Sequence, residues 1–66
     1  MNIKLNGKLE TLDGLGTLSD LIARRGLIPE RIVIEHNERI ISREEWGSVR
    51  LAESDTIEIV SFVGGG

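Results

Sequence analysis

One stretch of this 66-residue chain carries a complete helix signal, and it lies between segments that alternate like strands. Thr17-Leu18-Ser19-Asp20 reads as a capping box, with Asp in place of the preferred Glu. Leu18, Leu21 and Ile22 fall on one face of the helix it opens. Arg24 and Arg25 occupy the last turn, where cations suit the helix dipole. Gly26 is placed for the left-handed residue just past the end, and Pro29 bars continuation. One helix over residues 17–25 covers one face of a sheet and no more, so the rest of the chain has to be arranged around that limit.

The flanking segments read as strands. Met1, Ile3 and Leu5 alternate with Asn2 and Lys4, the period of a half-buried strand. Asn6-Gly7 follows, a strong hairpin signal because both turn positions need positive φ. Lys8 to Leu12 then return antiparallel, and Asp13 to Gly16 form a loop. Arg31 to His36 is β-rich, Asn37-Glu38 makes a turn, and Arg39 to Ile41 come back as a short strand. Ser42-Arg43-Glu44-Glu45 reads as a second capping box, opening one helical turn that carries Trp46 and ends at Gly47. Leu51 to Asp55 make a turn before the last strand, Thr56 to about Phe62, with Ile57 and Ile59 inward and Thr56 and Glu58 outward.

This order predicts an α+β arrangement, the β-grasp architecture. It is a mixed sheet of four to five strands, with one main helix across one face and a short helical turn near Trp46. The first and last strands pair in parallel at the centre. Leu18, Leu21 and Ile22 are expected to pack on Ile3, Leu5, Ile32, Ile34, Ile57 and Ile59. Residues 1–63 form the domain and 64–66 a flexible glycine tail.

Composition narrows function mostly by exclusion. The length allows one domain. No apolar run exceeds three residues, far short of the roughly 20 that cross a membrane. No export signal is read at the N-terminus, and there is no cysteine for a disulfide or thiolate site, so a cytoplasmic setting is expected. The net charge of −3 argues against a nucleic-acid binder. Phe62 and Trp46 are the only aromatics, so the core is aliphatic. Trp46 reads mainly as a partly buried anchor, with an interface role as the alternative. His36 is the single histidine and reads as a strand-end residue rather than a base. Glu44 and Glu45 suit a helix start, and Glu35-His36 alone are too few for a metal, so none is expected. Gly14-Leu15-Gly16 lacks the remaining spacing of a phosphate loop. No active site of its own, and hence no enzyme activity, is expected.

The C-terminal segment asks for more. Val60, Phe62 and Val63 stay apolar up to Gly64-Gly65-Gly66. An extended arm of this kind can enter a partner, because glycine backbone passes where side chains cannot. Six residues from Ser61 reach roughly 20 Å. The tip delivers the α-carboxylate of Gly66, a poor electrophile until a partner activates it with ATP as an acyl-adenylate. A sulfur nucleophile can then displace AMP and leave a thiocarboxylate.

The Asn6-Gly7 hairpin, the Thr17-to-Leu21 helix start, the run from Ile34 to Trp46, and Leu51 to Val60 leading to Val63-Gly64-Gly65-Gly66 together resemble the ThiS family, sulfur carriers of thiamin thiazole biosynthesis with a ubiquitin-like β-grasp fold. The resemblance covers nearly the whole chain. Ser54 and Glu38 stand where that family often has glycine, which concerns turn geometry only. The resemblance implies adenylation of Gly66 by a ThiF-type enzyme that uses ATP, with no cofactor bound by the chain itself. A sulfur donor system and thiazole synthase, ThiG, complete the set of partners. Gly64 and Gly65 would thread the partners' channels, and Val60, Phe62 and Val63 would dock beside them. Neither nucleic acid nor membrane is implied. Two alternatives stand beside this reading: a MoaD-like small subunit of molybdopterin synthase, with the same fold and tail but usually a longer chain, and a β-grasp interaction module with an inert tail.

Overall fold

The computed structural model describes residues 1–14 and 16–62. Strand β1 (Asn2–Leu5) turns into β2 (Lys8–Thr11), and helix α1 (Leu18–Arg25) follows. A 3-10 turn over Pro29–Arg31 leads into β3 (Ile32–His36), which turns into β4 (Arg39–Ile41). A second 3-10 segment, Arg43–Ser48, precedes β5 (Thr56–Ser61). The five strands form one mixed sheet in the order β2-β1-β5-β3-β4, the β-grasp arrangement. β5 is central, parallel to β1 and antiparallel to β3, as the strand order predicts.

Local chemistry explains most boundaries. Asn6 and Gly7 both adopt positive φ, the geometry a two-residue hairpin needs. The capping box forms: the Thr17 hydroxyl accepts from the Asp20 N–H, and the Asp20 carboxylate accepts from the Thr17 and Gly16 N–H groups. Those two donated bonds, Thr17 first, hold the Asp20 carboxyl below its usual range. Gly26 takes the left-handed conformation at φ 66°, and its N–H returns to the carbonyls of Ala23 and Ile22. Pro29 does more than stop the helix, since it opens the 3-10 turn, which takes in Arg31 and leaves β3 to start at Ile32.

Two local expectations are corrected. Ser42 does not cap the segment that follows it: its hydroxyl donates to the Glu45 carboxylate at 2.9 Å and caps no backbone N–H. A 3-10 segment has a different spacing of free N–H groups from an α-helix, so the α-type box has nothing to close on. Nor does Gly47 end the segment, which runs on to Ser48.

The core lies between the sheet and α1. Ile3, Leu18, Leu21, Ile34 and Ile57 are fully buried, with Leu5, Ile22 and Ile32 close behind. Ile59 is only partly buried, packed at the margin of this cluster. Leu12, Ile41 and Leu51 complete the core beyond the residues expected, together with Trp46. Trp46 is 4% exposed, and its indole N–H donates to the Ile41 carbonyl, which makes it a core anchor and removes the interface alternative. The segment around Val49 and Leu51 is stitched to the start of α1 by the Leu18 N–H to Val49 carbonyl and Leu51 N–H to Gly16 carbonyl bonds. Among the described residues, no helix is long and apolar enough to cross a membrane.

Candidate functional site

β5 is held on both sides until its last residues. Its pairing with β1 ends at Leu5↔Ile57. Beyond that point the Asn6 side-chain carbonyl accepts from the Ile59 N–H at 2.7 Å and takes over the work of a strand. On the other side the β3 register runs to Ile32↔Ser61, and the Phe62 N–H then donates to the Arg31 carbonyl at 2.9 Å. The chain is therefore guided by backbone bonds up to Phe62. Val63, Gly64, Gly65 and Gly66 lie outside the described residues, as does the expected flexibility of 64–66.

The two described docking candidates have different surroundings. Val60 sits on the sheet face turned away from α1, opposite Val33 in the register, and is 60% exposed. Ile40 and Leu9 are exposed on that same face. Phe62 lines a groove of about 310 Å³ with Leu27, Ile28, Arg31 and Ser61. Sequence reasoning missed Val33 and this groove. The signal was present in the continuous run Ile32-Val33-Ile34, because a strand apolar on both faces has one face too many for a single helix.

His36 ends β3, as expected, and it has a partner the sequence did not disclose. Its Nε2 lies 2.9 Å from Asp55 Oδ2. The Asn37 amide donates to Asp55 Oδ1, and the Ala52 N–H donates to Oδ2. Burial pushes the Asp55 carboxyl up, but the bonds from His36, Asn37 and Ala52 outweigh it, and its pKa lies below the ordinary value. This cluster ties the β3–β4 turn to the turn before β5. Asn37 reinforces the tie by accepting from the Thr56 N–H through its side-chain carbonyl. It brings together one imidazole and one carboxylate. Among the described residues, no group of three or more His, Cys, Asp or Glu side chains could hold a metal ion.

Comparison with known proteins agrees with this geometry. The model of the ThiS family matches residues 3–66. The chain is 42% identical over 65 residues to the sulfur carrier protein ThiS of Bacillus subtilis (strain 168), covering 97% of this chain and 98% of that protein. It is 41% identical over 66 residues to a thiazole synthase of Magnetococcus marinus, where the match takes in all of this chain but only 20% of the synthase. The crystal structure of a thiamine biosynthesis protein (ThiS) from Geobacter metallireducens superposes with a TM-score of 0.83 at 29% identity, covering 100% of both chains.

Proposed function

The chain belongs to the ThiS family, and from that premise we propose that it is a sulfur carrier for the thiazole of thiamin, loaded and unloaded by partners rather than catalytic itself. The observation that carries this reading is the central strand β5, hydrogen-bonded on both sides as far as Ile59, on the β3 side up to Phe62, and continued in sequence by Val63-Gly64-Gly65-Gly66. A rigid sheet fixes where the arm leaves, and three glycines give the narrowest arm a polypeptide can have.

The chemistry follows from the tip. A carboxylate oxygen of Gly66 attacks the α-phosphorus of ATP on a ThiF-type enzyme, and pyrophosphate leaves. A hydrosulfide-level sulfur from a donor system then attacks the acyl carbon, the C–O bond to AMP breaks, and AMP departs with the electron pair. The product is a thiocarboxylate, whose sulfur a thiazole synthase of the ThiG type consumes. Hydrolytic release of the depleted carboxylate lets the cycle start again. Gly64 and Gly65 lie in the partners' channels, while Val60, Phe62 and Val63 rest against the channel mouths. The Bacillus carrier and the Magnetococcus synthase among the relatives favour the thiazole route over a molybdopterin one.

The test is an intact mass after incubation with the cognate adenylating enzyme, ATP and a sulfur source. Exchange of one oxygen for one sulfur is expected. Gly65→Val adds a β-branched side chain where only backbone fits and is expected to abolish that gain. One alanine added after Gly66 moves the electrophile by about 3.4 Å and is expected to do the same. Sulfur gain at the unmodified rate in either variant would leave the inert-tail module as the better account.

A further inference from the structure

The groove at the root of the tail has a shape and a charge that the carrier reading leaves unassigned. Its walls are fixed by backbone bonds. The Arg31 N–H donates to the Ile28 carbonyl, the Phe62 N–H donates to the Arg31 carbonyl, and Ile32 pairs with Ser61 in the β3–β5 register. A concave site built this way is formed before anything binds, which lowers the cost of binding. Ile28 is 49% exposed and Phe62 48%, so two large apolar side chains stand half bare across a hollow wide enough for one or two more.

Charge separates this groove from its neighbour. The adjoining hollow between α1 and the 3-10 segment, lined by Ile22, Leu27, Pro29 and Trp46, also carries a cation, Arg43. That cation is already paired with Glu30 at 3.0 Å. Arg25 is likewise paired with Glu10. Arg31 forms no side-chain ion pair among the described residues, and it lines a mostly apolar site. An apolar hollow with one free guanidinium selects an apolar side chain next to a carboxylate.

Chain length says which part of a partner comes here. Gly66 lies four residues beyond Phe62, a span of at most about 14 Å. A partner that closes around the glycines therefore brings its channel mouth to within that distance of the groove. The Magnetococcus synthase indicates which partner, since the stretch matching this chain is part of the same polypeptide as the rest of that protein. Such a linkage keeps the two at high effective concentration.

We propose that this groove seats a loop at the channel mouth of the cognate thiazole synthase, with an apolar side chain against Leu27, Ile28 and Phe62 and an Asp or Glu against Arg31. The proposal rests on the carrier reading and adds to it the surface that holds the carrier while its tip reacts. The experiment measures the affinity of the full chain for its cognate synthase by titration calorimetry. Ile28→Ser and Arg31→Glu are each expected to weaken binding about tenfold or more, the scale of an anchor residue. Ile40→Ser, on the far side of the sheet, is expected to change it less than about twofold. Melting temperatures are read alongside, and Arg31→Glu decides should Ile28→Ser prove unstable.

Unchanged affinity in Arg31→Glu and in a folded Ile28→Ser would overturn the proposal. So would a loss confined to Ile40→Ser, or an unmodified chain that does not bind the synthase. Sulfur gain on the adenylating enzyme, followed by mass, separates this from the parent reading. Groove variants that load normally yet bind the synthase weakly support the proposal. Groove variants that load and bind normally sink it and leave the carrier reading in place. An unmodified chain that gains no sulfur refutes the carrier reading and this inference with it.

Discussion

On the helix side of the sheet, Ile3, Leu5, Ile34 and Ile57 are buried beneath Leu18 and Leu21. On the opposite side Leu9, Val33, Ile40 and Val60, similar side chains on the same sheet, stand exposed. The difference lies in supply. The chain contains one α-helix among its described residues, and one helix shields one face. Burial on the first face holds the fold together, so its residues answer to packing. The apolar residues on the second face contribute little to folding, and their chemistry is open to whatever approaches the protein. A sheet of this kind separates stability from recognition by thickness alone, with the backbone as the partition.

The sharpest way to break that comparison is to cut into the covered face. Leu21→Ala removes a fully buried side chain and is expected to cost about 2–5 kcal/mol in urea unfolding. A near-neutral result would mean the helix is not the lid described here.

The rim of the covered face comes next. Asp55→Ala strips hydrogen-bond partners from His36, Asn37 and the Ala52 N–H and is expected to cost about 1–3 kcal/mol. The pH dependence has a definite sign. The folded pKa of Asp55 is depressed, so its contribution is present above the unfolded aspartate value of about 3.9 and is lost as the pH falls through the folded value. The gap in stability between the unmodified chain and Asp55→Ala should therefore be full at neutral pH and shrink below about pH 4. A gap that stayed constant into acid would show that the carboxylate's charge is not what the cluster uses.

Smaller effects are expected at the turns. Glu38 and Ser54 both adopt φ of 71°, a conformation that disfavours side chains with a Cβ. Glu38→Gly and Ser54→Gly should each stabilise by about 0.5–1 kcal/mol, the relief of strain slightly exceeding the entropy glycine adds to the unfolded chain. A fall in melting temperature would mean that the side chains at these turns do more than occupy them.

The open face should give the smallest change of all. Val60→Ser is expected to shift stability by no more than about 0.5 kcal/mol. If Val60 docks a partner as proposed, the same variant gains sulfur more slowly in the mass assay. A large loss of stability instead would erase the distinction between the two faces.

Much of this architecture was legible in the residues, and the reasons are local. The Thr17–Asp20 box, Arg24-Arg25 and Gly26 each act within one turn of the helix, so their meaning survives without tertiary context. Asn6-Gly7 is the same kind of signal for a hairpin. The Ser42–Glu45 box failed because the motif specifies donors and acceptors but not the pitch of the turn they close, and here the pitch is 3-10. Trp46 could be placed near the core but not fully inside it, since its burial depends on the Ile41 carbonyl waiting for the indole N–H. The site was legible in part. The glycines and the apolar approach to them are visible in one dimension. The groove is not, because Leu27 and Ile28 stand more than thirty residues before Phe62 and meet it only once β3 and β5 have paired. The Asp55–His36 contact was hidden for the same reason.

The parallel pairing of β1 with β5 joins Lys4 to Thr56, residues separated by nearly the whole chain. Contacts of such long separation are slow to form, because loop-closure entropy is spent before they return anything. During synthesis β1 has no central neighbour until β5 emerges, so the inner face cannot close over the earlier segments alone. Folding and completion of the arm's base are then a single late event. A chain cut or stalled before β5 lacks the strand that Phe62 extends, and with it any fixed point from which an arm could project. On the proposed carrier reading, a partner that selects for a correctly held arm would thereby sort finished molecules from unfinished ones, with no separate inspection step.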